Sequence, residues 1–337
     1  MKFLIVGAGA VGAYMGALMA RAGYDVTLHA RGPHLRAMQQ KGVRVISADD
    51  DFVAHPRLVA DLKDAGLADV VFLCVKAHGL PPLAAQLPAV LGPDTTVVST
   101  QNGIPWWYFQ ADGGSTPDSS APGALANMHL ERVDPGGVVS SAIAARRVIG
   151  SLIYFSTEII EPGVVKHNEG NRISLGEPNG ERTDRIRKIA DVLIASGLRA
   201  PVTAHLRNEI WVKILGNVAF NPISALTGAT LAQMLGNPAT TELIRNIMQE
   251  TEALTEKLGV KMQVSIEQRM AGAAKVGEHK TSMLQDLEAG RPLELEAIVG
   301  AVLEVGERIG LPMPHTRSVY ACTKLLAERR SAAAQKN

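Results

Sequence analysis

Cysteine is nearly absent: Cys74 and Cys322 are the only two in 337 residues. Two thiols cannot build a disulfide framework, and neither stands in a metal-ligand spacing. They read as free thiols in a reducing compartment. The nine histidines have no HxxxH or CxxC partners, so no metal site is expected. An excess of either charge is also missing. The formal net charge is +1, which gives no electrostatic reason to expect nucleic acid or an anionic membrane as partner. Aromatic residues are scarce at 4%, so the run Trp106-Trp107-Tyr108-Phe109 stands out as pocket wall or as packing.

One long uncharged stretch, Phe3 to Ala20, reaches the length at which a membrane helix or signal peptide is considered. It even carries Gly12-x-x-x-Gly16, a spacing used by membrane helix pairs. Gly7, Gly9 and Gly12 would each weaken a single helix by ~1 kcal/mol, however, and the segment reads better as two elements. No other stretch is a credible span, and a cytoplasmic protein is expected.

At 337 residues and 46% hydrophobic content there is material for two cores. The expected division is residues 1–204, α/β, and residues 205–337, all-α. Lys2–Val6 has the apolar character of a parallel strand buried on both faces. Gly7-Ala8-Gly9-Ala10-Val11-Gly12 follows, then a small-residue helix to Ala22, Gly23, and a strand over Asp25–His29. Strand, glycine turn, helix and strand within about thirty residues is the context that makes GxGxxG a dinucleotide signal. Gly7 allows the tight turn, Gly9 lets backbone approach a pyrophosphate, and Gly12 lets helix and strand pack closely. Helix N–H groups and the helix dipole then favour phosphate.

The second strand bears on which dinucleotide. An NAD site wants Asp or Glu near its end for the ribose 2′-hydroxyl. Here the chain reads His29-Ala30-Arg31-Gly32. Arg31 suits a 2′-phosphate, and so NADPH/NADP; an ordinary surface arginine is the bland alternative. Further strands are expected at Val43–Ile46, Asp69–Val75, Thr96–Ser99, Val148–Phe155, Val164–His167, Arg172–Leu175 and Pro201–Thr203, with a helix over Thr183–Ala195 and a mixed far edge to the sheet. Lys76 and Asn102 each follow a strand's carboxyl end, where open α/β sheets bind ligands, although Asn102-Gly103 is equally a tight turn. The Gly/Ser/Pro/Asp-rich stretch Ala111–Gly123 reads as a mobile loop.

From His205 the pattern is helical. The segment Ile210–Asn221 is apolar except at Lys213, Asn217 and Asn221, spaced i, i+4 and i+8, which form one stripe on one face. Burying those groups without partners costs several kcal/mol, so the stripe is expected to line a wet cleft or hold a ligand, with a solvated face as the other reading. A second cluster is Ser282-Met283-Leu284-Gln285-Asp286, with Glu294 beyond it. Pro292 places Glu294 in the first turn of a helix, where a carboxylate complements the dipole.

Together, Gly7-x-Gly9-x-x-Gly12, Arg31, Val75-Lys76, Gln101-Asn102-Gly103, Trp211-x-Lys213-x-x-x-Asn217-x-x-x-Asn221-Pro222, Ser282-Met283-Leu284-Gln285-Asp286 and Glu294 resemble the ketopantoate reductase (2-dehydropantoate 2-reductase) family in order and approximate spacing. The resemblance implies an amino-terminal Rossmann-type doubly wound sheet, a helical carboxy-terminal domain, NADPH, and a small 2-oxo acid substrate bound in the cleft between domains. The sequence leaves oligomeric state open, with a homodimer as the partner considered. It implies Lys213 as proton donor, and Asn217, Asn221 and Ser282 as substrate ligands. Asn102 would touch both ligands and Glu294 the cofactor or substrate side. Gly7 to Gly12, Arg31 and Lys76 would hold NADPH. Two departures bear on the pocket. Ala229-Thr230-Leu231 stands where the family's pattern can include another asparagine, and the 111–123 loop is longer than in compact members. They leave open the group attached to the 2-oxo acid. A hydroxyacid or opine-type dehydrogenase shares the domain plan, but the stripe carries lysine where some such enzymes use histidine. A non-catalytic NADPH sensor would lack the complete proton-donor set.

Overall fold

The computed structural model describes residues 1–110, 125 and 127–334; the expected loop over 111–123 lies outside them. The chain divides into two compact units. One contains Met1–Gln101 and Gly137–Leu206; the other contains the chain from Arg207 together with residues 102–110 and 127–136.

The first unit is built on one sheet of nine strands: β1 (Lys2–Val6), β2 (Asp25–His29), β3 (Val43–Ile46), β4 (Asp51–Ala54), β5 (Arg57–Val59), β6 (Ala68–Leu73), β7 (Leu91–Ser99), β8 (Val148–Glu161) and β9 (Val164–Gly176), in the order β4-β3-β9-β8-β7-β6-β1-β2-β5. The run from β5 through β8 is entirely parallel. Antiparallel pairing enters with the β8–β9 hairpin and again with β3–β4, giving the mixed far edge. The short strands β4 and β5 carry no clear alternation or apolar run, and they went unread in the sequence. The two strands expected over 164–167 and 172–175 are a single β9, carried across its middle by register shifts against β8. Residues 201–203 contribute one isolated bridge, Leu175 to Val202, in place of a strand.

Strand β1 shows why its sequence is apolar throughout. Phe3 and Ile5 join the core beneath the first helix, while Leu4 and Val6 are buried on the opposite face. Each such side chain contributes roughly 1.5–3 kcal/mol of burial. Helix α1 (Ala10–Arg21) packs its small residues on that core and α2 (Gly32–Lys41) follows β2. After α3 (Val138–Ala142), helix α4 (Asp184–Ala195) starts where Thr183 accepts a hydrogen bond from Ile186 N–H and buries Ile186, Ile189, Ala190, Val192 and Leu193.

The second unit is helical: α5 (Leu206–Thr227), α6 (Leu231–Gly236), α7 (Pro238–Lys257), α8 (Ile266–Val276), α9 (Ser282–Glu288), a π turn over Glu296–Gly300, α10 (Ala301–Arg308) and α11 (Pro314–Ala334). Its starts are well capped. Thr230 and Ser265 form reciprocal capping boxes with Gln233 and Gln268, and Glu250 of α7 accepts the His315 and Thr316 N–H groups at 2.8 and 2.9 Å. The aromatic run Trp106–Phe109 is buried in this unit, with Tyr108 Oη accepting from Trp211 Nε1 at 2.8 Å. No helix among the described residues is long and apolar enough to cross a membrane.

His29 ends β2 at 3% exposure. Burial first, and the Arg31 charge second, push its pKa below the ordinary 6.5. Burial does the same to His34. Because the unfolded chain then binds protons more readily than the folded one, stability is complete above the ordinary histidine value and falls as pH drops through the folded values. Urea unfolding between about pH 7.5 and 5 should show this decline, with a shallower slope in His29→Leu.

Candidate functional site

The glycine turn is a matter of contact. Gly7 adopts φ +98°, and a Cβ there would lie 2.5 Å from Val75 Cγ1 and 2.8 Å from Val75 N. A Cβ on Gly12 would lie 2.3 Å from the Gly7 carbonyl oxygen and 3.0 Å from Cys74 Cβ. These two glycines let α1 press onto β1 and the end of β6. The Cys74 thiol beneath them is partly buried, and desolvation pushes its pKa up to about 12, so it stays protonated. Gly9 differs: a Cβ there would meet nothing within 4 Å. It is the N-cap of α1, with no side-chain cap and no acidic residue in the first turn. The helix's first N–H groups thus have neither intrahelical acceptors nor a side chain to cap them. Ala8 is committed elsewhere, donating its N–H to the His29 carbonyl at 2.8 Å. Arg31 is exposed as the N-cap of α2, and Lys76 stands at the N-cap of a short 3₁₀ turn, Ala77–Gly79, just past β6.

In the helical unit three of the expected residues meet. Lys213 Nζ donates to Asn102 Oδ1 at 2.9 Å, and Asn102 Nδ2 donates to Glu294 Oε2 at 3.1 Å. An ammonium and a carboxylate are thereby joined through one side-chain amide, whose orientation they set from both ends. Lys213 is half-buried and Glu294 nearly buried, at 8% exposure. Asn217 is half-buried on the same face of α5; Asn221 is 4% exposed and its Nδ2 has no partner among the described residues. A buried amide donor left unpaired costs ~1–3 kcal/mol, which marks it as a group awaiting an acceptor.

Other residues sit differently from the sequence reading. Glu294 precedes the helix: its carbonyl accepts from Ile298 N–H at 3.1 Å, and the turn that follows is π. Its carboxylate therefore faces Asn102 rather than capping a first turn. Ser282 opens α9 and is exposed; Asp286 is buried and paired with Arg291 at 2.9 Å. Thr230, in the stretch lacking the family's extra asparagine, caps α6 and donates to Glu278 at 2.5 Å. That position has a structural use. Sequence reading missed Arg132, Glu296 and Tyr320, which form one hydrogen-bonded group next to this site; no local motif links residues so far apart. Among the described residues no cluster of metal-ligating side chains occurs.

A Rossmann-type sheet with a glycine turn, followed by a helical unit that carries an ammonium, an amide and a carboxylate in contact, defines an oxidoreductase of the two-domain α/β type. Comparison with known proteins narrows the class. Residues 3–105 match the family model "Ketopantoate reductase PanE/ApbA", and residues 205–327 match "Ketopantoate reductase PanE/ApbA C terminal". The 2-dehydropantoate 2-reductase of Mesorhizobium japonicum is 46% identical over 98% of this chain and 99% of its own. A Ralstonia solanacearum structure assigned as a ketopantoate reductase superimposes with a TM-score of 0.90 at 36% identity, covering 98% of both chains. The 2-dehydropantoate 2-reductase structure from Methylococcus capsulatus does so with 0.80 at 29% identity, again covering 98% of each. The chain belongs to the ketopantoate reductase family and is an oxidoreductase acting on a CH–OH/ketone pair.

The glycine contacts give an expected contrast. Gly12→Ala should destabilise the fold by ~1–3 kcal/mol, since the added methyl meets backbone. Gly9→Ala, in open space with φ −74°, should stay within ~0.5 kcal/mol of the parent. Urea midpoints of the two variants measure the difference.

Proposed function

We propose that this chain reduces the ketone of a 2-oxo acid of the 2-dehydropantoate type, using NADPH, with Lys213 as proton donor. The observation that carries the reading is the Lys213–Asn102–Glu294 chain of hydrogen bonds. The 46% identical relative named as 2-dehydropantoate 2-reductase supports the substrate class.

The residues of the glycine turn fit a dinucleotide. Gly9 leaves room for a pyrophosphate, and the uncapped start of α1 offers N–H donors from Gly9, Ala10, Val11 and Gly12. Gly7 and Ala8 shape the turn; Arg31 and Lys76 supply cations for a 2′-phosphate. We assign the sheet unit within residues 1–204 to cofactor binding, and residues 205–337 together with 102–110 and 127–136 to substrate and catalysis. NADPH, when bound, supplies the hydride. As the carbonyl carbon is reduced, negative charge gathers on its oxygen. Lys213 stabilises that charge through its N–H groups and transfers one proton to it, and a proton from solvent restores the ammonium. Asn102 keeps the ammonium at a fixed point, and Glu294 holds the amide so that its oxygen faces Lys213. Asn217, Asn221 and Ser282 provide polar groups for the substrate, with the unpaired Asn221 amide as the clearest open donor.

Lys213→Ala should lower kcat roughly 10²–10⁴-fold, the range for loss of a general acid, while the NADPH dissociation constant changes little. Steady-state turnover of 2-dehydropantoate beside NADPH titration tests this, and near-normal turnover would remove Lys213 from the chemistry. For cofactor choice, NADPH should bind at least about tenfold tighter than NADH, with Arg31→Ala narrowing the gap. Equal dissociation constants in the parent would reject Arg31 as the reader of the 2′-phosphate.

A further inference from the structure

Asn102 holds Lys213, but something must hold Asn102. The next two residues are docked on the π turn: Ile104 N–H donates to the Ala297 carbonyl at 3.1 Å. Gly103, at φ +82°, lies so close that a Cβ there would be 2.0 Å from the Ala297 oxygen and 2.4 Å from its carbonyl carbon. The position of the Asn102 backbone is therefore set by the position of Ala297.

The π turn has its own anchor. Its first residue, Glu296, folds back over Gly300, where a Cβ would sit 2.4 Å from Glu296 Oε2. Tyr320 Oη, from α11, donates to the Glu296 carboxylate at 2.8 and 3.1 Å. Arg132 Nη1 donates to Glu296 Oε2 at 3.0 Å and to Tyr320 Oη at 2.6 Å. Glu304 of α10 accepts the Glu131 and Arg132 backbone N–H groups, both at 2.9 Å, and so fixes the segment that presents Arg132. Tyr320 is 8% exposed, so its hydroxyl is a group whose bonds are worth keeping. π turns are short, rare insertions in helices that are frequent at functional sites. This one joins a three-residue clasp to the residues in contact with Lys213.

We infer that Tyr320, Glu296 and Arg132 are positioning residues for the reduction: by clamping the π turn they fix Ala297, hence Gly103, hence the Asn102 amide between Glu294 and Lys213. The inference rests on Lys213 being the proton donor. The bonds of the three run to one another and to the π turn, so their effect on turnover passes through Asn102.

The test is a double-mutant cycle on the full-length enzyme with 2-dehydropantoate and NADPH, using Tyr320→Phe and Asn102→Ala. Tyr320→Phe keeps the ring and removes one hydroxyl. It should lower kcat roughly tenfold, a fraction of what a ~1 Å misplacement can cost, with KM and the NADPH dissociation constant within about twofold of the parent. In the Asn102→Ala background the same substitution should have almost no further effect, because the amide it positions is gone. Glu296→Gln, which keeps an acceptor for Tyr320, should retain more kcat than Glu296→Ala. Parent-like kcat in a folded Tyr320→Phe, or a loss that multiplies fully with Asn102→Ala, would overturn the inference. So would a fall in thermal midpoint whose folded fraction turns over normally. An active parent with additive losses rejects the positioning role alone; a parent inactive on every 2-oxo acid rejects the proposed reaction and this role with it.

Discussion

A half-buried ammonium among apolar neighbours has to be held by a fixed acceptor, and in the helical unit Lys213 has one in Asn102. Lys213 sits among Ile210, Trp211, Ile214 and Leu215, all buried. Left alone there, its charge would be costly to desolvate. Asn102 answers it at 2.9 Å, and Glu294 answers Asn102 at 3.1 Å. An amide in the middle keeps the two charges apart. The amide bonds to both at once, which fixes the ammonium and the carboxylate in place.

The two units use different physics to place chemistry. In the amino-terminal unit the work is done by side chains that are missing. Gly7 and Gly12 remove atoms that would collide with Val75 and the Gly7 carbonyl, letting a helix start directly above a buried strand. In the helical unit placement is done by bonds: the capping boxes of α6 and α8, Glu250 at the start of α11, and Glu304 beneath residues 131 and 132. Glu250 and Glu304 act here as structural acceptors for backbone N–H groups, which rigidifies the unit.

The parts legible in the sequence were those with short-range signatures. The glycine turn, the first two strands, α4 and the Lys213 stripe each lie within a window where periodicity and turn chemistry speak plainly. Strands β4 and β5, three or four residues each, had no such pattern; they exist because the sheet edge offers hydrogen-bond partners. The aromatic run Trp106–Phe109 could be read two ways, and burial beside Trp211 shows it packed as core.

What the sequence determined by itself was the inventory of chemistry: a lysine in register with two asparagines, a glycine turn without an acidic partner, and a carboxylate beyond Pro292. It did so because helical periodicity and turn chemistry act over a few residues. Tertiary structure alone decided which of these groups meet. Asn102 lies 111 residues from Lys213 and 192 from Glu294 along the chain. Tyr320 is 188 residues from Arg132. No local rule spans such separations. Those contacts come from the packing of the 102–104 segment onto a π turn, where one missing side chain and one carbonyl oxygen set the distance.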